Sequence, residues 1–165
     1  MRGYFADLGR EHGCDVRALG WASAEGQAAR FGVLGRLAGM RSGLSVLDLG
    51  CGFGDLRPWL GEAGLAPARY LGLDLVPDSI AEAERRLAGL ADVQLAVGGM
   101  AALGDDARFD ICYASGLFNQ DLPDWNGVVA ETLTALWAHT RGALVVNFAS
   151  PWDVPAVRWR LGGGD

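Results

Sequence analysis

The ten residues 46–55, VLDLGCGFGD, constrain the fold of this chain more than any other segment does. Apolar residues lead into an acidic residue, and a glycine then stands at every second position. The pattern predicts a buried strand that ends in a tight loop before a helix, which is where α/β sheets bind nucleotide-like ligands. Glycine suits such a loop because it adopts backbone angles that other residues avoid and lets a ligand approach the main chain.

The charge beside these glycines indicates what kind of ligand fits. Asp48 stands at the end of the predicted strand and Asp55 closes the loop, with no Lys or Arg between them. A loop that binds pyrophosphate would gain from positive charge and an open helix N-terminus. This loop is better suited to a ligand that carries positive charge. The alternative is a glycine-rich turn that only connects strand to helix.

The segment resembles motif I of the class I S-adenosylmethionine-dependent methyltransferases, loosely V-L-D-x-G-x-G-x-G. The dinucleotide fingerprint, G-x-G-x-x-G, has a different spacing. The cofactor of the family carries an ammonium and a sulfonium, which an acidic pocket lined by glycine fits chemically. The resemblance implies that the methionine end of S-adenosylmethionine is held by Asp48, Gly50, Cys51, Gly52 and Gly54.

Strands and helices alternate along the rest of the chain. Strands are predicted at 45–49, 69–74, 93–97, 109–114 and 143–149, and helices at 23–40, 55–64, 77–88 and 124–140. Nearly continuous apolar strands separated by helices indicate a parallel sheet covered on both faces. The fold class expected is therefore α/β, a Rossmann-like doubly wound sheet with strand order 3-2-1-4-5.

The length of 165 residues predicts a single domain. We expect a helical cap over residues 1–43, a cofactor-binding core over 44–150 and an irregular tail over 151–165. The family resemblance implies a further helix and two antiparallel strands, six and seven, for which the sixteen residues after Ala149 leave no room. We therefore expect these strands to be missing, through a fragment, a shortened gene or a partner that covers the sheet edge, as in a homodimer.

A second acidic residue is expected at the same edge of the sheet. Asp74 ends the second strand, twenty residues after Gly54, where nucleotide folds place an acid that binds both ribose hydroxyls. The segment around it resembles motif II of the same family, which implies that Leu75 packs beside the adenine. Alternatively, Asp74 only caps the helix that follows.

After the third strand, Gly99 stands where many members of the family have an acidic residue. Met100, next to it, is either an adenine contact or a core residue.

The loop after the fourth strand leaves the sheet at this same edge. Ser115 is expected to contact the cofactor, while Leu117, Phe118 and Asn119 are expected to line the pocket of the methyl acceptor. The segment matches neither the D/N-P-P-Y motif of amino-group methylation nor the Pro-Cys nucleophile of pyrimidine methylation. Cys112, inside the strand, is read as a buried structural thiol.

Residues 20–31 contain a G-W-x-S motif followed by Gln27, Arg30 and Phe31. Together with the segment 147–150, they resemble a subgroup of small bacterial methyltransferases, most of which are functionally unassigned. In that setting Arg30 either pairs with the cofactor carboxylate or is a solvated helix arginine. Trp21 either covers the acceptor pocket or anchors the N-terminal segment to the core. His12 is the only candidate for a general base, and a base is not required for every methyl transfer.

Composition narrows the functional classes further. The formal net charge is −6 and all fourteen basic residues are arginine, so nucleic acid is not an expected partner. Three cysteines without metal spacing predict a reduced, cytoplasmic protein without a metal, and no apolar run reaches the length of a membrane span. The predicted function is in-line methyl transfer from S-adenosylmethionine to a small-molecule nucleophile. The alternatives are a non-catalytic or incomplete cofactor-binding module and, with less support, an NAD-dependent oxidoreductase.

Overall fold

The computed structural model describes residues 2–118 and 124–148, and in these residues five parallel strands form one sheet. The strands are β1 (Ser45–Leu49), β2 (Arg69–Asp74), β3 (Val93–Val97), β4 (Phe109–Ala114) and β5 (Thr140–Val146). The helices are α1 (Arg2–His12), α2 (Ala24–Leu37), α3 (Leu56–Glu62), α4 (Pro77–Arg86) and α5 (Trp125–Ala138). The sheet order is β3-β2-β1-β4-β5, which confirms the predicted fold class and strand order.

The boundaries of the first four strands agree with the prediction, and the fifth strand differs. β5 begins at Thr140, directly after α5, instead of at Ala143. Its first residue pairs with Phe109, whose amide donates to the carbonyl of His139 at 2.9 Å. The early start depends on this long-range pairing, because Thr140 is half-buried, the next two residues are exposed, and the three carry no apolar pattern. The predicted end at Ala149 is also wrong, because β5 ends at Val146 and the described residues 147 and 148 are not in a strand.

The two faces of the sheet bury separate apolar clusters. Alternate strand residues point to opposite faces, so Val46 packs with Phe31 of α2 on one side, while Leu47 packs with Leu136 of α5 on the other. Both strand residues are at most 1% exposed. Burying side chains of this size stabilises the fold by about 1.5–3 kcal/mol each. The sheet is therefore a rigid platform, and its carboxyl edge is the place where loops can form a site.

Arg86 of α4 ties the N-terminal segment to this platform. Its Nη1 donates to Asp55 Oδ1 at 2.9 Å and its Nη2 donates to the carbonyl of Cys14. The guanidinium also lies 4.6 Å from the centre of the Phe53 ring. These contacts hold residues near Cys14 beside the glycine loop. They also give the carboxylate of Asp55 a cationic partner that the sequence pattern did not predict.

The predicted loss of strands six and seven and the predicted irregular tail over 151–165 lie outside the described residues. Within 2–118 and 124–148, no helix is both long and apolar enough to cross a membrane.

Candidate functional site

A cavity of about 430 Å³ lies at the carboxyl edge of the sheet, where β1, β2 and β4 end. Its floor is the glycine loop after β1, and its walls come from the ends of β2 and β4, the N-terminal segment and α5. A volume of this order is typical of small-molecule sites. The location is the crevice at the strand-order reversal, where open α/β sheets bind ligands.

The cavity brings together most of the predicted site residues. Those that line it are Trp21, Asp48, Gly50, Cys51, Gly52, Asp74, Leu75, Gly99, Met100, Ser115, Leu117 and Phe118. Three others, His12, Arg30 and Gly54, are not among the lining residues. Asn119 lies outside the described residues.

The glycine loop is held against the end of β2. The amides of Gly50 and Cys51 donate to the carbonyl of Leu73 at 2.7 and 3.0 Å. Gly50 and Gly52 have φ values of 75° and 55°, the left-handed region that favours glycine. A Cβ on Gly52 would come within 2.7 Å of Cδ1 of Leu19, which itself lines the cavity. The loop is therefore closely covered by the N-terminal segment.

Gly54 has a packing role in this structure. Its φ is 76°, and a Cβ there would come within 2.7 Å of Cδ1 of Leu87, the residue that follows α4. A comparable role belongs to Gly72 in β2, where an added Cβ would lie 2.9 Å from the sulfur of Cys51. Gly72 was not singled out in the sequence, since its importance depends on a neighbouring loop that sequence spacing does not reveal.

Asp74 organises the loops around the cavity. Its Oδ2 accepts from the amide of Gly52 at 2.9 Å and its Oδ1 accepts from the amide of Val76 at 2.8 Å. One carboxylate therefore connects the glycine loop to the turn that precedes α4. Each carboxylate oxygen keeps a second lone pair for a ligand, so this structural role and a role in ribose binding are compatible.

Asp48 is buried beneath the loop, with 3% of its surface exposed. Its Oδ2 accepts a 2.6 Å hydrogen bond from the hydroxyl of Tyr70. Burial raises the pKa of Asp48 to about 7, the Tyr70 hydrogen bond opposes the rise, and the charges of Asp74 and Asp55 add to it. A cation in the cavity would favour the ionised form of Asp48, because it would replace the lost hydration.

Tyr113 is a site residue that the sequence analysis did not identify. It is the register partner of Asp48 on the neighbouring strand β4, and its ring lies 6.2 Å from that of Phe31. It lines the cavity, yet its hydroxyl is buried without a hydrogen-bond partner among the described residues. Its place near the end of a predicted strand, before a predicted site loop, was a usable signal.

The loop after β4 is held in place by the two residues that follow β5, Asn147 and Phe148. Asn147 Oδ1 accepts from the amide of Gly116 at 2.7 Å, and its Nδ2 donates to Ser115 Oγ at 2.8 Å. Farther along, the ring of Phe118 stacks on that of Phe148 at 5.3 Å. The segment after β5 therefore holds Ser115 and Phe118 in place where they line the cavity.

Two of the predicted residues outside the lining lie near the N-terminal segment. The guanidinium of Arg30 is exposed and lies 4.7 Å from the ring centre of Trp21, which lines the cavity. His12 ends α1, with its Nε2 3.6 Å from Glu11 Oε1. Arg30 is thus one aromatic ring away from the site, while the structure gives His12 no contact with it.

Helix α5 supplies a wall that was not predicted. Val128, Glu131 and Ala135 share one helix face, since they are spaced i, i+3 and i+7, and Thr132 lies beside them. The same periodicity was readable in the sequence, but nothing there indicated which face meets the cavity. Other unpredicted lining residues, including Phe5, Leu19 and Gln27, depend on the folding of the N-terminal segment.

The charge of the cavity follows from these residues. Asp48, Asp74 and Glu131 are acidic, while the described lining contains no Lys, Arg or His. Within the described ranges, no group of three or more His, Cys, Asp or Glu is placed to hold a metal ion. The site therefore combines an apolar wall with carboxylates and suits a ligand that carries positive charge and hydroxyl groups.

The sequence is similar to those of known methyltransferases. A family model described as a methyltransferase domain matches residues 46–138. A Mycobacterium tuberculosis protein named "Putative methyltransferase Rv1506c" is 30% identical over 116 residues, which cover 68% of this chain and 67% of that protein.

Solved structures of similar fold include an S-adenosylmethionine-dependent methyltransferase from Thiobacillus denitrificans in complex with S-adenosyl-L-homocysteine. It is 24% identical with a TM-score of 0.54, over 72% of this chain and 47% of that one. The magnesium protoporphyrin IX methyltransferase of Synechocystis PCC 6803, with bound S-adenosylmethionine, is 20% identical with a TM-score of 0.63, over 91% of this chain and 74% of that one. The chain thus spans less than half the length of the Thiobacillus protein.

Proposed function

The chain belongs to the methyltransferase-domain family, whose model it matches over residues 46–138, and we propose that its cavity binds S-adenosylmethionine and methylates a small molecule. The observation that carries the proposal is the pair of carboxylates, Asp48 and Asp74, in a mostly apolar cavity without a lining cation among the described residues. This charge fits a cationic nucleoside and opposes a pyrophosphate.

The residues present fit the parts of the cofactor. Asp48 would pair with the ammonium, and the glycine loop, which Leu19 covers at Gly52, would lie along the methionine chain. Asp74 would accept from the ribose hydroxyls through its free lone pairs. Gly99, Met100 and Leu75 would surround the adenine with apolar surface. Arg30, one ring removed from the cavity, would reach the carboxylate by a change of its exposed side chain.

When bound, S-adenosylmethionine supplies a methyl group made electrophilic by the sulfonium. The chain's contribution is to orient the acceptor and to exclude water. Ser115 is fixed by Asn147 and can hold a polar atom of the acceptor, while Trp21, Leu117 and Phe118 form an apolar wall. Holding nucleophile and methyl carbon in line lowers the barrier without a strong base.

Calorimetric titration with S-adenosylhomocysteine, with NAD as the control ligand, tests the proposal. We expect micromolar binding of S-adenosylhomocysteine. Its affinity should fall at least about tenfold in Asp74→Asn and should not change in Asp78→Ala. A tenfold loss is what removal of one hydrogen bond to a charged group costs. Asp78 is the matched control because it is an exposed acid in the first turn of α4, outside the cavity. A folded protein that binds NAD, or neither ligand, would overturn the proposal.

A further inference from the structure

One buried polar atom in the cavity is not accounted for by the fold. The hydroxyl of Tyr113 has no hydrogen-bond partner among the described residues, although the residue is only 4% exposed. Buried hydroxyls are almost always paired, because an unpaired one gives up its hydrogen bonds to water without compensation. Since Tyr113 lines the cavity, a ligand in the cavity is the natural partner.

The surroundings of the hydroxyl indicate which role it takes. Burial raises the pKa of Tyr113 above its ordinary value, and the nearby charge of Asp48 adds to the rise, while Ser115 and Arg30 oppose it. The phenol therefore keeps its proton and can act as a donor. The Ser115 hydroxyl is near enough to oppose the rise in the pKa of Tyr113, but neither Ser115 nor Asp48 is in hydrogen-bonding geometry with the Tyr113 hydroxyl. The bonds that these two oxygens accept come from Asn147 and Tyr70.

The neighbouring charges indicate which group of a ligand would accept a hydrogen bond from this hydroxyl. Asp48 is the register partner of Tyr113 and attracts a cation, while the guanidinium of Arg30 is close enough to influence the Tyr113 hydroxyl and attracts an anion. An amino acid carries its ammonium and its carboxylate on one carbon. With the ammonium at Asp48, the carboxylate would lie toward Tyr113 and Arg30.

We propose that Tyr113 is a cofactor-positioning residue whose hydroxyl donates a hydrogen bond to the carboxylate at the amino-acid end of S-adenosylmethionine. The assignment rests on the proposed function. It gives the chain two groups for this carboxylate, a neutral donor inside the cavity and an arginine that lies against Trp21, outside the lining.

The test compares two ligands that differ only in this carboxylate. S-adenosylhomocysteine has it, and S-adenosyl-3-thiopropylamine keeps the ammonium, ribose and adenine but lacks it. In Tyr113→Phe we expect calorimetric affinity to fall about tenfold for S-adenosylhomocysteine and less than about twofold for the amine. Equal losses for both ligands, or no loss for either, would overturn the assignment, the latter pointing to water or the acceptor as the partner.

Tyr70→Phe is the matched control, since it removes the hydroxyl on the other side of Asp48, from a residue outside the cavity lining. Its effect passes through Asp48 and the ammonium that both ligands share, so both affinities should change alike. A selective loss in Tyr70→Phe would also contradict the assignment. If wild-type protein binds neither ligand, the proposed function fails as a whole, which is a different outcome from non-selective binding in Tyr113→Phe.

Discussion

The hydroxyl of Tyr70 on β2 donates a 2.6 Å hydrogen bond to Oδ2 of Asp48 on β1, beneath the floor of the cavity. On the other side of the same carboxylate, Tyr113 of β4 is in register with Asp48 but has no hydrogen-bond partner among the described residues. The protein therefore places one paired and one unpaired phenol around one buried acid. The first belongs to the folded framework, and the second is available to a ligand.

This difference predicts opposite effects on stability. Tyr70→Phe leaves a buried carboxylate oxygen without its donor and should lower the free energy of unfolding by about 1–3 kcal/mol. Tyr113→Phe removes only an unpaired hydroxyl and should leave the free energy unchanged or raise it. Urea unfolding of the ligand-free proteins measures both values. Comparable destabilisation by the two variants would contradict this reading of the Asp48 environment.

The raised pKa of Asp48 predicts a pH-dependent stability. Asp48 titrates near 7 in the folded protein, against an ordinary value of 3.8. Between these values the folded state binds more protons than the unfolded state, so the free energy of unfolding should fall as pH rises and level off above about 7. In Asp48→Asn this part of the slope should disappear. Identical slopes for wild type and variant would show that Asp48 is not the titrating group.

Ligand affinity should follow the opposite trend with pH. An ammonium binds ionised Asp48 better than neutral Asp48, so the affinity for S-adenosylhomocysteine should increase from pH 6 to pH 8, around the pKa of about 7. Binding below pH 7 should release a proton, which calorimetry detects as a dependence of the enthalpy on the buffer. An affinity independent of pH over this range would place the ammonium elsewhere.

Alanine variants of Gly52 and Gly64 distinguish the effect of crowding in the glycine loop from the effect of backbone strain. Both have positive φ, but a Cβ on Gly52 meets Leu19 at 2.7 Å while a Cβ on Gly64 meets nothing within 4 Å. Gly52→Ala should reduce the affinity for S-adenosylhomocysteine by about tenfold or more, because the loop and its cover must shift. Gly64→Ala should cost about 1 kcal/mol of stability through strain and leave affinity unchanged. Equal affinities in the two variants would show that the close packing of Leu19 against Gly52 does not affect ligand binding.

Arg86 and its neighbour Arg85 test how the N-terminal segment is held. Arg86 contacts Asp55, Glu82 and the carbonyl of Cys14, whereas Arg85 pairs with Glu82 and is 71% exposed. Arg86→Ala should speed hydrogen exchange in the turn Val16–Leu19, which lies beside the cavity. Arg85→Ala should change stability by less than about 0.5 kcal/mol, as expected for a surface ion pair. Unchanged exchange in Arg86→Ala would show that other contacts hold the segment.

The sequence was sufficient for the framework of the fold because that information is local. Four of five strands were predicted with their observed bounds, since each is a short apolar run that ends at a turn signal. The start of β5 at Thr140 was predicted three residues late. Its first three residues, Thr140 to Gly142, carry no apolar pattern and belong to the strand only through pairing with β4.

The floor of the site was predictable for the same reason, whereas its walls were not. Asp48 and Asp74 lie at or next to the ends of β1 and β2, and Gly52 follows β1, so their meeting at one edge follows from a parallel sheet. Glu131 and Leu19 reach the cavity only through the packing of α5 and the N-terminal segment. The contacts that tie the loops together, such as that of Arg86 with Asp55, join residues 31 positions apart.

A crystal structure of the protein with S-adenosylhomocysteine tests the account most directly. We predict ribose hydroxyls within about 3 Å of the Asp74 carboxylate, the ammonium at Asp48 and the ligand carboxylate within about 3 Å of the Tyr113 hydroxyl. A ligand bound away from the glycine loop, or an empty cavity at saturating S-adenosylhomocysteine, would contradict it.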